Sequence, residues 1–183
     1  MHSPIFFGTT GNTNLSTAEI DELRISEETL ENYISECDYV NLIPQSDYWD
    51  IKEIELPGKT VTNGKRTVWT ITRETVKEYQ DNYVKTISDY LENVKKIGAS
   101  GKFAFGNLPI INDKENSRKL YSSLIEFQDT VNPRGGIKIV IDGWPETIKD
   151  VMDSAANHFN KDPEQDEPYE ITIYSNFVGD YHF

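Results

Sequence analysis

The sequence predicts an α+β fold, a mixed and mainly antiparallel sheet packed by amphipathic helices, in a single globular domain over residues 1–183. Three observations predict it. Apolar residues recur at three- and four-residue spacings over about 75–97, 113–131 and 145–159, the period of helices with one buried face. A stretch rich in Thr, Val and Trp at about 49–72 contains Asn63-Gly64, a dipeptide that favours a two-residue hairpin turn, and reads as a β-meander. Short β-branched runs then alternate with the helices, which admits some parallel pairing within the sheet.

Each element follows from local chemistry. Ile5-Phe6-Phe7 is an apolar N-terminal segment, and Gly8-Thr9-Thr10-Gly11-Asn12 reads as a turn into a helix capped by Ser16, with Glu19 completing a capping box. Ser26-Glu27-Glu28 is a second helix start, its acids placed to favour the helix dipole. Trp49 to Leu56 is expected as the first strand of the meander, followed by Lys59–Thr62 and Lys65–Thr72 on either side of Asn63-Gly64. Val76, Tyr79, Tyr83, Ile87, Tyr90, Leu91, Val94 and Ile97 form the stripe of the long helix, which Gly98 is placed to end. Phe103-Ala104-Phe105 is a short strand, and Asn112 is a candidate cap for a helix whose apolar face is Leu120, Leu124, Phe127 and Val131. Ile137–Ile141 is a β-branched strand closed by Asp142-Gly143. The next helix is expected to begin at Trp144-Pro145 and to bury Ile148, Val151, Met152, Ala155 and Phe159. Tyr169 to Tyr174 alternates as a strand with one solvated face.

A chain of 183 residues with 37% apolar content can bury a core without disulfides or metals. Cys37 is the only cysteine, so no disulfide can form within the chain, which favours a reducing compartment. No stretch approaches the ~18 consecutive apolar residues of a membrane helix, and the N-terminus lacks the basic and apolar regions of a signal peptide. The expected location is cytoplasmic.

The net charge of −13 is segregated along the chain. Residues 19–55 hold 12 acids and 2 bases, and residues 142–180 hold 10 acids and 2 bases, whereas residues 56–141 hold 9 acids and 14 bases. Such a surface repels nucleic acid and attracts a basic protein. Aromatic residues are interleaved with the acids at Tyr33, Tyr39, Tyr48, Trp49, Tyr169, Tyr174 and Tyr181. Tyr and Trp beside carboxylates suit either an interface that receives Lys and Arg or a sheet face that buries the rings and leaves their polar tips in water.

Motifs for chemistry are sparse. His2, His158 and His182 form no metal-ligand spacing, and Asp162, Glu164, Asp166 and Glu167 lack the glycine and spacing of a calcium loop, so no metal site is expected. Cys37 sits between Glu36 and Asp38, which raise rather than lower a thiol pKa, and no Gly-x-Ser-x-Gly elbow is present. No catalytic residue is identifiable, although scattered carboxylates could meet in space.

Ile5-Phe6-Phe7-Gly8-Thr9-Thr10-Gly11-Asn12-Thr13 resembles the FMN phosphate loop of flavodoxins, an apolar strand followed by hydroxyls, glycine and asparagine. Gly101–Gly106 resembles the central strand of that family, and Pro133-Arg134-Gly135-Gly136 precedes a strand that ends at Gly143-Trp144-Pro145. The resemblance implies an FMN-binding electron-transfer protein with Thr9, Thr10, Asn12 and Thr13 at the phosphate. The chain departs from the pattern by having Gly8 at the first hydroxyl position and the Asn63-Gly64 hairpin where the flavin-stacking segment belongs.

Two functions follow. The first expectation is an acidic, non-enzymatic protein without cofactor or metal that neutralises a basic partner, as an immunity protein does for a nuclease toxin or a phage-encoded inhibitor does for its target. Neither nucleic acid nor membrane is expected as a partner. The residues expected at the interface are Tyr48, Trp49, Asp50, Glu53, Asp162, Glu164, Asp166 and Glu167. The FMN protein is the alternative.

Overall fold

The computed structural model describes residues 2–22, 25–34, 39–44, 50–99, 103–104, 110–111, 114–131, 136–162, 164 and 166–182. The elements run β1 (His2–Thr10), α1 (Thr17–Glu22), α2 (Glu27–Tyr33), β2 (Tyr39–Pro44), a 3₁₀ turn (Ile51–Glu53), β3 (Lys59–Asn63), β4 (Arg66–Ile71) and α3 (Arg73–Ala99). There follow β5 (Phe103–Ala104), β6 (Ile110–Ile111), α4 (Lys114–Val131), β7 (Lys138–Ile141), β8 (Trp144–Glu146), α5 (Ile148–Lys161) and β9 (Tyr169–His182). The fold class is α+β, as the sequence predicts. Two compact units are present, one formed by Met1–Lys77 with Gly135–Phe183 and the other by Glu78–Arg134.

The first unit is built on a seven-stranded sheet in the order β3-β4-β9-β1-β7-β8, with β2 also pairing β9. Among the described residues its one parallel pair is β1 with β7, and the other pairings are antiparallel. β9 is the spine: β1 lies along one side of it, while β4 takes Tyr169 to Tyr174 and β2 takes Phe177 to His182 on the other. Opposite Phe6 and Phe7 the register jumps from Val178 to Tyr174, so β9 carries three extra residues there. An odd insertion reverses the alternation of a strand. Tyr174 and Tyr181 therefore share one face despite their opposite parity.

On that face Ile5, Phe7, Val140, Tyr174 and Tyr181 pack with Ile20, Leu30 and Ile34 from the α1–α2 region and with Val40 and Leu42 from β2. The other parity of the strands supplies Phe6, Ile139, Ile141, Ile171 and Ile173, all buried, and α5 buries Val151, Met152, Ala155 and Phe159. His158 of α5 lies 5.5 Å, centroid to centroid, from Tyr169, which belongs to this second face. Close packing of β1 on β9 depends on Gly8, because a Cβ there would stand 2.7 Å from the Thr172 carbonyl oxygen.

Caps explain the ends of the short helices. Ser16 donates through its N–H and hydroxyl to the Glu19 carboxylate, each at 2.7 Å, which holds that carboxyl below its ordinary pKa. The Ser26 hydroxyl accepts from Thr29 N–H. The Asn63-Gly64 hairpin forms, with Gly64 at φ +62°. The first strand expected for the meander does not: Ile51–Glu53 is a 3₁₀ turn whose cap is Asp50, so the side-chain cap wins over the β-branched residues there. The last helix also begins later than expected. Trp144–Glu146 pairs with β7, and α5 starts at Ile148 with a Thr147–Asp150 capping box. Pro145 explains this shift, since a residue before proline is pushed out of the helical region.

In the second unit α3 and α4 run antiparallel. Tyr90 stacks on Phe127 with centroids 4.7 Å apart, and Asn93 Nδ2 donates to the Ser123 hydroxyl at 3.0 Å. β5 and β6 pair antiparallel between them. Asn112, the expected cap of α4, lies outside the described residues, and α3 continues one residue past Gly98 to Ala99.

Candidate partner-binding face

The face is built by α1, α2 and the two strands they meet. Residues 19–33 carry six carboxylates, Glu19, Asp21, Glu22, Glu27, Glu28 and Glu31, against the single cation Arg24. All six are exposed, while Ile20 and Leu30 of the same helices are buried in the core. The apolar residues thus turn the two helices so that their acids point to water.

Two of these acids have a structural task. Glu27 Oε1 accepts from Leu42 N–H at 2.8 Å, and Glu31 Oε1 accepts from Val40 N–H at 3.1 Å. The match is geometric: four residues of helix rise about 6 Å and two residues of strand about 6.7 Å, so i and i+4 on α2 meet alternate N–H groups of β2. Carboxylates therefore occupy a strand edge that would otherwise offer free donors to another chain. Beside this contact an open hollow of about 490 Å³ is lined by Asp21, Ile25, Ser26, Glu27 and Leu42. Its walls combine apolar side chains with carboxylates, the chemistry that receives the aliphatic stem and charged head of Lys or Arg.

At the end of α2 the Tyr33 ring meets Trp144 of β8, with centroids 4.8 Å apart and planes at 42°. Both rings are substantially exposed, Trp144 by 59% and Tyr33 by 45%. Their contact joins the two acidic segments of the sequence, since α2 belongs to residues 19–55 and β8 to residues 142–180. Tyr39 is exposed as well and stacks on His182 at 5.5 Å.

The described residues among those expected at the interface belong to other elements than the ones that build this face. Tyr48 and Trp49 lie outside the described residues. Asp50 caps the 3₁₀ turn by accepting from Lys52 N–H at 3.0 Å, and Glu53 ends that turn. Asp162, Glu164, Asp166 and Glu167 are exposed in the segment after α5. Within it Asp162 Oδ1 accepts from Glu164 N–H, and the Asp162 carbonyl accepts from Arg73. Among the described residues no group of His, Cys, Asp and Glu is placed to hold a metal ion. Among those same residues no helix is long and apolar enough to cross a membrane.

Sequence reasoning missed Trp144 as a surface residue because it continues the helical spacing back from Ile148. The following proline was the signal that could have removed it from the helix. Of the described aromatic residues interleaved with acids, Tyr174 and Tyr181 are core, Tyr169 is half-buried, and Tyr33 and Tyr39 are exposed.

The glycine–threonine loop is committed to its own fold. Thr13 N–H donates to the Thr172 hydroxyl, which in turn donates to the Gly11 carbonyl. The Thr13 hydroxyl lies 2.6 Å from that of Thr9 and 2.7 Å from that of Tyr174. Gly11 N–H donates to the Glu170 carbonyl, the Thr10 hydroxyl donates to the Asp142 carboxylate at 2.7 Å, and the Asn12 side-chain oxygen accepts from Arg66. A phosphate needs converging free donors at a helix N-terminus. Here the Thr13 and Gly11 N–H groups and the Thr10 hydroxyl are donated within the protein, a carboxylate faces Thr10, and the next helix begins only at Thr17. These residues do not fit the FMN phosphate.

Glu146 of β8 is half-buried, opposite Ile139 of β7, with the exposed carboxylates of Asp142 and Asp150 near it. Burial, then Asp150 and Asp142, push the Glu146 carboxyl above its ordinary pKa. Burial and Glu146 likewise raise the Tyr169 hydroxyl. Comparison of the chain with protein-family models, with curated proteins and with solved structures finds no match in any of the three.

Proposed function

We propose that this protein is an acidic binding protein that neutralises a basic protein partner, in the manner of an immunity protein for a nuclease toxin or a phage-encoded inhibitor. The observation that carries the reading is the exposed Tyr33–Trp144 pair at the junction of the two acidic segments. Aromatic anchors supply most of the affinity of an interface, and a surrounding field of one sign raises the association rate and selects partners of the opposite charge. The hollow between Asp21, Ile25 and Leu42 adds a place for a basic side chain.

Affinity capture on the immobilised full chain tests the proposal, with a Trp144→Ala column run in parallel at low salt. The expected result is a protein of strongly basic isoelectric point that the wild-type column retains and the variant column does not. Retention of neutral or acidic proteins alone, or equal retention of the same basic protein by both columns, contradicts it.

A further inference from the structure

We propose that the helical unit Glu78–Arg134 is a self-association module, and that its occupant is the same unit of a second copy of this chain. The described elements of the unit, α3, α4 and the two-residue strands β5 and β6, offer little apolar surface to enclose a core. Among the described side chains of this unit no apolar one is fully buried; even Tyr90 and Phe127, which stack on each other, remain half-buried. Five large apolar residues stay open to solvent: Val84 and Leu91 on α3, and Tyr121, Leu124 and Ile125 on α4, with 41% to 65% exposure.

Four of them, all but Ile125, lie on one side of the hairpin. Successive residues turn by about 100°, so Val84 and Leu91 lie roughly 140° around α3 from the direction of Tyr90 and Asn93. Tyr121 and Leu124 lie roughly 80–140° around α4 from the direction of Ser123 and Phe127, in the same rotational sense. Because the helices are antiparallel, equal senses place both sets on the same side of the hairpin.

Charge identifies the occupant. Residues 78–134 hold eight acids and eight bases, so the unit is neutral and the remainder of the chain carries the whole −13. A basic partner is drawn to the remainder, whereas an apolar, neutral face suits a neutral, apolar surface, which the same face of a second copy supplies. The pattern on α3 is also self-complementary. A twofold axis between Ile87 and Ser88, with the helices antiparallel, sets Val84 against Leu91 of the partner subunit and Asp81 close to Lys95 of the partner subunit. Isologous contact of this kind closes at two copies and buries α3 and α4 in a four-helix arrangement.

Sedimentation equilibrium of the full chain tests the proposal independently of any basic partner. The expected result is a particle of twice the 21.0 kDa chain mass. The double substitution Val84→Lys with Leu91→Lys should return the chain to its single mass with an unchanged circular dichroism spectrum, and Tyr121→Asp serves as a second, separate disruption. Asp81→Lys should weaken the dimer roughly tenfold by setting like charges together, and adding Lys95→Asp should restore it. A single-chain mass for the wild type up to high concentration overturns the proposal. So does a dimer that none of these substitutions weakens.

Discussion

The Tyr33 ring rests on Trp144 with centroids 4.8 Å apart, and this contact brings together two acidic segments that 86 residues of the chain separate. Both rings keep much of their surface in water, so their packing contributes little to folding. Trp144→Ala is expected to change the unfolding free energy by less than about 1 kcal/mol, measured by urea denaturation, while abolishing capture of the partner. A large loss of stability would instead assign the pair to the scaffold.

Glu27 has the opposite character. Its carboxylate is the acceptor for Leu42 N–H on the edge of β2, so removal strands a partly buried donor. Glu27→Ala should cost about 1–2 kcal/mol, and Glu27→Gln, which keeps an acceptor oxygen, should cost less. Faster amide exchange at Leu42 in the alanine variant, with Phe6 unaffected, would locate the effect at the edge.

Stability should depend on Glu146 with a definite sign. Its folded-state pKa is raised by burial and by Asp150 and Asp142, so the folded chain holds this proton more firmly than the unfolded chain. The resulting stability is present below the ordinary carboxylate pKa and is lost as pH rises through the raised value. Glu146→Gln removes this dependence. The variant should therefore gain thermal stability relative to wild type as pH rises out of the carboxylate range towards neutrality, and the two melting curves should converge in acid. A gap that widens in acid would contradict the assignment.

Added FMN should leave the melting temperature unchanged, because the Thr13 N–H and hydroxyl are held by Thr172, Thr9 and Tyr174 and the Asp142 carboxylate faces Thr10. A concentration-dependent rise in melting temperature would restore the flavin reading.

What the sequence disclosed depended on whether one period governed a segment. α3, α4 and the body of α5 were legible because their apolar residues follow 3.6-residue spacing without interruption, and the Asn63-Gly64 turn because its dihedral demand leaves few residue choices. β9 was legible only to Tyr174, since the extra residues opposite Phe6 and Phe7 reverse its alternation. Ile5-Phe6-Phe7 gave no sign of pairing in parallel, because its partner β7 lies 133 residues away in sequence. Glu27 and Glu31 looked like solvated helix acids, and nothing local reveals that their spacing matches a strand edge. Trp144 was hidden by a helical spacing that Pro145 interrupts.

The most direct measurement of the central claim is the salt dependence of affinity for the purified basic partner, by calorimetry from low to high ionic strength. The proposed face predicts that association weakens steadily as salt rises, and that Trp144→Ala lowers affinity at every salt concentration without changing the slope. An affinity independent of salt, or a variant that binds as the wild type does, would contradict it.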